Sequence, residues 1–209
     1  MVGTKEHWKY KLLENKIPTH IIEYLQEYTL ELKNRIKDVH MEPKPNGSGI
    51  YWQGLDMASK CELSSDEENQ KLYDVYTSQF MYDIITEYIS EPYLFNDQVV
   101  VKLPNEEFSF DAHYDNQYPP LDTSYTTINC MLILDDFTEE NGAIKVLDDT
   151  WIRLFPKKGD ILMIDGNTLH SSEENKSDNV RRAYICVYSG DKLIGEDFEK
   201  DWHYERFSK

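Results

Sequence analysis

The sequence predicts an α+β chain with a mainly β core, helices first and then a row of short strands closing into an antiparallel sandwich or barrel. Three observations carry this. Apolar residues recur at helical spacing as far as Tyr88. From about Gln98 they fall instead into short β-branched runs, and the turn signals between those runs leave no room for helices of useful length. A chain of 209 residues reads as one domain, with helical support over 1–95, a β core over 96–190 and a tail over 191–209.

The first helix is marked by Ile21, Ile22, Tyr24, Leu25, Tyr28, Leu30, Leu32 and Ile36 behind Pro18-Thr19, with Thr19 as N-cap. The second opens on Ser65-Asp66-Glu67-Glu68, which has capping-box form. Leu72, Val75, Tyr76, Phe80, Met81, Ile84, Ile85 and Tyr88 then continue it on one face to a stop near Ser90-Glu91-Pro92. Between the two, Glu42-Pro43-Lys44-Pro45-Asn46-Gly47-Ser48-Gly49 reads as a loop. Strands are predicted at Gln98–Leu103, Thr126–Leu134, Ala143–Leu147, Asp160–Asp165 and Arg182–Tyr188. Turns fall at Glu140-Asn141-Gly142, Lys157-Lys158-Gly159 and Asp165-Gly166-Asn167. The tail carries Trp202, Tyr204 and Phe207 and is expected to pack back on the body.

Twenty-two Lys and Arg against 39 Asp and Glu give a formal net charge of −17. Binding to nucleic acid or an anionic membrane through counterion release needs clustered cations, and the adjacent basic pairs are Lys157-Lys158 and Arg181-Arg182, so neither is expected as a partner. Cys61, Cys130 and Cys186 are odd in number and lack CxxC spacing, which points to a reducing compartment. The polar start and the lack of an apolar run near ~20 residues make a soluble, cytoplasmic protein the expectation.

The chemistry concentrates in Phe110-Asp111-Ala112-His113-Tyr114-Asp115-Asn116. In extended chain, positions two apart share a side, so His113 and Asp115 aim an imidazole and a carboxylate at one point. His170 supplies a second imidazole, and two histidines with one carboxylate leave one face of a six-coordinate metal open, which suits non-haem Fe(II). Arg181 follows on a later strand, where its planar fork suits a carboxylate. Metal, open positions and a carboxylate-binding arginine together answer the needs of a keto-acid cosubstrate.

With these residues in place the chain resembles the phytanoyl-CoA dioxygenase family of Fe(II)- and 2-oxoglutarate-dependent oxygenases. The resemblance runs from about Gln98 to Tyr188, through Val101-Lys102-Leu103-Pro104, His113-Tyr114-Asp115, Glu140–Leu147, Gly159-Asp160-Ile161-Leu162, His170-Ser171-Ser172, Asn175-Lys176-Ser177 and Arg181-Arg182-Ala183. It implies a double-stranded β-helix (a jelly roll, cupin-like) supported by the N-terminal helices. It implies His113, Asp115 and His170 as catalytic iron ligands, and Arg181 with Ser172 on the distal carboxylate of 2-oxoglutarate. Lys102 matches a cosubstrate contact of some members, and Asn129 and Met131 sit where the family lines the same pocket. The implied reaction consumes O₂ and 2-oxoglutarate, releases succinate and CO₂, and most simply hydroxylates a C–H bond. Related halogenases carry Gly or Ala where this chain has Asp115, so hydroxylation is favoured over halogenation, while desaturation, ring closure and epimerisation share the same residues and stay open. The chain departs from the family where Val146-Leu147 runs into Asp148-Asp149-Thr150-Trp151 in place of a glycine-serine-histidine step, leaving little room for a long insert.

Other readings compete. A cupin-like module could bind a metal or small acid without turnover, and a zinc hydrolase could use the same three ligands but would leave Arg181 idle. Arg182 reads as a surface or sheet-face charge turned away from Arg181, and Asp160 as the opener of its strand. His7, His20, His40 and His203 read as surface or structural, while Tyr114, Tyr118, Trp52 and Trp151 border a pocket or simply pack. The high negative charge favours a small soluble metabolite, such as an amino acid, amine or carrier-bound group, over a CoA thioester.

Overall fold

A computed structural model describes residues 8–36, 50–52, 66–105, 107–117 and 127–190. Within these, three helices and ten strands follow in chain order: β1 (Tyr10–Leu13), α1 (Thr19–Ile36), β2 (Ile50–Trp52), α2 (Asp66–Tyr76), α3 (Gln79–Ile85), β3 (Tyr93–Lys102), β4 (Phe110–His113), β5 (Thr127–Ile133), β6 (Ile144–Asp148), β7 (Thr150–Leu154), β8 (Ile161–Asp165), β9 (His170–Ser172) and β10 (Arg181–Ser189). All strand pairs are antiparallel, in a six-stranded sheet ordered β1-β8-β5-β10-β3-β2 and a four-stranded sheet ordered β4-β9-β6-β7. The expected jelly roll is the observed fold.

The sheets enclose one apolar cluster, to which Val100, Met131, Ile133, Leu162, Ile164, Ala183, Ile185 and Val187 come from the larger sheet and Ile144 and Val146 from the smaller. The larger sheet's other face carries Val99, Val101, Cys130, Leu132, Ile161, Met163, Tyr184, Cys186 and Tyr188 against Ile21, Ile22, Leu25 and Tyr28 of α1, Leu72, Val75 and Tyr76 of α2, and Met81 and Ile85 of α3. Its strands are therefore buried on both sides, which is why they read as continuous apolar runs. The two-residue period still decides which side chain enters the interior: Asn129, Met131 and Ile133 on β5, Val100 and Lys102 on β3, Arg181, Ala183 and Ile185 on β10. Cys130 and Cys186 are free, buried and directly opposed on β5 and β10.

The helical half departs from the sequence pattern in three ways. The single helix predicted through Tyr88 is broken into α2 and α3 at Thr77-Ser78. There Thr77 Oγ1 donates to the Tyr73 carbonyl at 2.8 Å and Ser78 Oγ to the Val75 carbonyl at 2.7 Å. Ser78 itself turns extended (φ −61°, ψ 151°) to start α3. Hydroxyls that satisfy the last carbonyls of one helix compete with the ladder that would continue it. At α1 the Pro18 carbonyl accepts from Ile21 and Ile22, so Pro18 holds the cap position and Thr19 lies in the first turn. Strands β1 and β2, short edges at opposite sides of the large sheet, were not expected; β1 pairs with β8 from Tyr10↔Ile164 to Leu13↔Ile161. In the second half, β7 and β9 also add to the predicted strands, and β3 begins at Tyr93. Ser65, the loop over 42–49, Cys61, Tyr118 and the tail from 191 lie outside the described residues. Among the described residues no helix is long and apolar enough to cross a membrane.

Candidate active site

His113 closes β4 and His170 opens β9, and the two are register partners across that pair of strands. Their rings lie 4.3 Å apart between centroids, at 53°. Asp115 sits two residues past His113 in the turn that leaves β4, and one ligand atom from each of the three falls within 4.8 Å of the others. Asp115 Oδ1 is 3.7 Å from His113 Nε2 and 3.6 Å from His170 Nε2. Both Nδ1 atoms are occupied: His113 Nδ1 meets the Asp111 carbonyl at 2.7 Å and His170 Nδ1 the Thr168 carbonyl at 2.9 Å. A carbonyl only accepts, so Nδ1 carries the proton in each ring and the Nε2 lone pairs face Asp115. Desolvation first, and the neighbouring His170 second, hold the His113 imidazole below its ordinary 6.5, which favours the neutral form a metal needs. The third side chain is fixed as well, since Asn129 Nδ2 donates to Asp115 Oδ2 at 3.0 Å and leaves Oδ1 turned toward the imidazoles. The donor set fits an iron ion, with two imidazole nitrogens and one carboxylate oxygen around a common point.

A second group of charged and polar side chains is buried between the sheets. Lys102 and Arg181 are register partners on β3 and β10, 0% and 1% exposed. Arg181 stacks over the Phe137 ring with its guanidinium carbon 4.2 Å from the centroid and donates a hydrogen bond of 2.8 Å to the Gly142 carbonyl; among the described residues its buried Nε has no partner. Burial lowers the guanidinium to about 9, still charged at neutral pH, and the carboxylate that opposes this, Asp135, is held by Arg182. Lys102 donates to Ser172 Oγ at 2.8 Å and to the Glu173 carbonyl, beneath the rings of Phe108 and Phe110. A buried guanidinium with an N–H that has no partner among the described residues, next to a buried ammonium, fits a carboxylate ligand. Ser172 stands two residues along β9 from His170, about 7 Å for an extended chain, the scale of a five-carbon dicarboxylate.

The six-stranded sheet, β4 with the turn after it, and β9 thus supply all eight residues singled out in the sequence: His113, Asp115 and His170 in one group, Lys102, Ser172 and Arg181 in a more buried one, with Asn129 and buried Met131 on β5. Sequence reasoning missed Gly142. It has φ +85°, its carbonyl receives Arg181, and a Cβ there would stand 3.1 Å from Lys102 Cδ and within 3.0 Å of the Glu173 carbonyl oxygen. The Asn141-Gly142 turn was its sequence signal, with the close approach hidden until the strands met.

The bland readings hold elsewhere. Arg182 points to the helix side, where its guanidinium takes both Asp135 oxygens (2.7 and 2.8 Å) and the Gln26 carbonyl of α1. Asp160 organises a turn, accepting from the Lys157 and Asn15 amides. His20 is exposed. Trp151, 46% exposed, lines a depression of about 400 Å³ with Lys145, Arg153 and Ser171 on the outer face of the small sheet, opposite to His170. Tyr114, 42% exposed, adjoins the metal ligands.

The family model described as phytanoyl-CoA dioxygenase (PhyH) matches residues 30–150 and 145–183, well over half of the chain. The chain belongs to the phytanoyl-CoA dioxygenase family. No curated protein matches it by sequence. Among solved structures, AviO1 from Streptomyces viridochromogenes Tue57 superposes on this PhyH chain with a TM-score of 0.68 at 15% identity, covering 87% of this chain and 89% of that one. The non-heme alpha ketoglutarate dependent carbocyclase SnoK from nogalamycin biosynthesis gives 0.67 at 14% identity, over 87% and 79%. EvdO2 from Micromonospora carbonacea var. aurantiaca, complexed with 2-oxoglutarate, gives 0.63 at 15% identity, over 96% and 97%. At such identities the likeness establishes a shared fold.

Proposed function

We propose that this member of the phytanoyl-CoA dioxygenase family is an Fe(II)- and 2-oxoglutarate-dependent dioxygenase that hydroxylates an unactivated C–H bond of a small soluble metabolite, such as an amino acid, an amine or a carrier-bound group. The observation that carries the reading is the conjunction of a His113–Asp115–His170 donor set with two buried cations, Lys102 and Arg181, one strand step deeper in the same interior. His113 Nε2, His170 Nε2 and Asp115 Oδ1 would hold the iron. Once bound, iron supplies the O₂ chemistry that decarboxylates 2-oxoglutarate to succinate and CO₂ and oxidises the substrate.

The chain's own residues do the rest. Arg181, Lys102 and Ser172 bind and orient the distal carboxylate, and their burial keeps water from competing for it. The Nδ1 bonds of the two histidines hold the ring orientation and Asn129 aims the carboxylate. Met131 and Val146 line the apolar wall that limits water near the reacting groups. Asp115 as a third protein ligand supports hydroxylation over halogenation. Proteins that share the fold are described as a carbocyclase and an epimerase, and hydroxylation is the simplest outcome for this donor set.

The test is anaerobic addition of Fe(II) and then 2-oxoglutarate, watching for the metal-to-ligand charge-transfer band in the green, followed by oxygen and a succinate assay. The expected result is a band that vanishes as succinate forms, absent in a folded Asp115→Ala variant. Binding of 2-oxoglutarate without succinate would favour a non-catalytic metal- and acid-binding module. No band in folded, iron-loaded protein would overturn the proposal.

A further inference from the structure

The two loops that carry Asp115 and His170 are tied to each other by a buried knot that includes no metal ligand. Asn116, 4% exposed and next in sequence to Asp115, is held from three sides. Its amide N–H donates to the Gly166 carbonyl at 3.1 Å, its Nδ2 donates to Asn167 Oδ1 at 2.9 Å, and its Oδ1 accepts from Thr127 Oγ1. Gly166 closes the ring from the far side by donating its N–H to the Thr127 carbonyl at 3.0 Å. A Cβ on Gly166 would fall within 3.0 Å of both Thr127 Oγ1 and Asn116 Oδ1, so the knot forms only around a residue with no side chain. Beyond Gly166 the β8–β9 turn is pinned in series: Asn167 N–H to Asp165 Oδ1 at 2.8 Å, Thr168 N–H to the Asp165 carbonyl at 2.8 Å, and His170 Nδ1–H to the Thr168 carbonyl at 2.9 Å. Thr127 begins β5, on which Asn129, two residues on and facing the same way, holds Asp115 Oδ2.

We infer that Asn116 is a positioning residue of the metal centre: by locking the Asp115 turn to the β8–β9 turn through Thr127 and Gly166, it sets the separation between the Asp115 carboxylate and the His170 imidazole before any metal binds. The inference rests on the proposed metal site and adds to it a specific set of residues that touch neither metal nor cosubstrate. The physical case is that β4 and β9 meet at only two register pairs, with a shift between Phe110 and His113, so the strand ladder by itself leaves the ends of that pair weakly defined. Asp115 lies beyond the ladder altogether. A buried amide satisfied at both ends, bridging the β4–β5 connection to the β8–β9 turn, supplies the constraint that the ladder lacks.

The experiment is Co(II) titration of metal-free protein, followed by d–d absorption, alongside the melting temperature of the same metal-free samples, for wild type, Asn116→Ala, Thr127→Val and Thr127→Ser. Thr127→Val keeps the shape and removes the donor to Asn116, and Thr127→Ser restores the donor. Arg182→Ala, remote from the site, calibrates how far stability alone moves Co(II) affinity. The expected result is a Kd raised about 10–100-fold, with an altered d–d spectrum, in Asn116→Ala and Thr127→Val, and near-wild-type binding in Thr127→Ser. If Asn116→Ala fails to fold, the Thr127 pair decides. Wild-type affinity in Thr127→Val, equal loss in Thr127→Ser, or a loss no larger than Arg182→Ala shows at matched stability would each overturn the inference alone. Absence of Co(II) binding by the wild type would instead overturn the metal-site reading on which it depends.

Discussion

Replacing Gly142 by alanine should damage the anion pocket from outside it. Two costs add at that position. The backbone has φ +85°, a conformation in which a Cβ costs an L-residue about 1–2 kcal/mol. The new Cβ also stands inside contact distance of the Glu173 carbonyl oxygen, a main-chain atom that no rotamer change can move away, and overpacking of this kind costs about 1–3 kcal/mol. The expected destabilisation is about 2–5 kcal/mol, a large part of the 5–15 kcal/mol typical of a domain. The carbonyl pushed aside is the one that receives Lys102, and the Gly142 carbonyl itself receives Arg181, so both cations lose their alignment and 2-oxoglutarate affinity falls with stability. Gly159→Ala is the internal control. Its φ is +95°, yet a Cβ there meets Asn15 Oδ1 at 3.5 Å and Ile22 Cδ1 at 3.6 Å, ordinary contacts, so it should cost only the ~1–2 kcal/mol of backbone strain and leave affinity intact. Urea unfolding of both variants with calorimetric titration of 2-oxoglutarate reads both effects. A Gly142→Ala protein no less stable than Gly159→Ala, or one with unchanged affinity, would refute the close-approach argument.

Three further outcomes follow from the same geometry. Arg181→Met removes a charged partner of the distal carboxylate and should weaken 2-oxoglutarate by about 2–4 kcal/mol, roughly thirty- to a thousandfold in Kd by calorimetry. Urea unfolding of that ligand-free variant should show stability held or raised, because a buried guanidinium with an orphaned Nε is gone. Arg182→Ala breaks the bidentate pair with Asp135, whose side chains are 17% and 18% exposed, and the bond to the Gln26 carbonyl. It should cost about 1–3 kcal/mol in urea unfolding with metal affinity unchanged. His113 is held below 6.5 in the folded protein, so on acidification the unfolded chain takes up a proton the native imidazole refuses. The His113 contribution to metal-free stability is therefore lost as pH falls through the ordinary histidine value, and substituting His113 by Asn should flatten the urea midpoint between pH 7 and 5; an unchanged slope would contradict the depressed value.

Residue by residue, the candidate ligand set was legible because its signals are local or periodic. His113 and Asp115 are two apart in sequence, and strand alternation alone separated Arg181, which enters the interior, from Arg182, which faces α1. The apolar runs of β5, β8 and β10 were legible because burial on both faces leaves them mainly apolar, with Asn129, Arg181 and Arg182 as exceptions that bind other groups. The break at Thr77-Ser78 was not, because helical spacing persists through it and what ends α2 is a pair of hydroxyl bonds to carbonyls. Nor were β1 and β9: strands of four and three residues carry little pattern of their own and exist through their partners.

Sequence by itself determined the class of fold, the three metal-type ligands and the side of the sheet from which each pocket residue acts, since a period of two and a short spacing are properties of the chain. Tertiary structure alone decided that Lys102 and Arg181 become neighbours, that Gly142 and Gly166 admit no side chain, and that Asn116 binds one ligand loop to the other. These are contacts across 31 to 79 residues, as from Gly142 to Glu173 or from Lys102 to Arg181, and no local pattern encodes them. They come into being when two sheets close and the steric room, the desolvation and the hydrogen-bond partners of each group are fixed together.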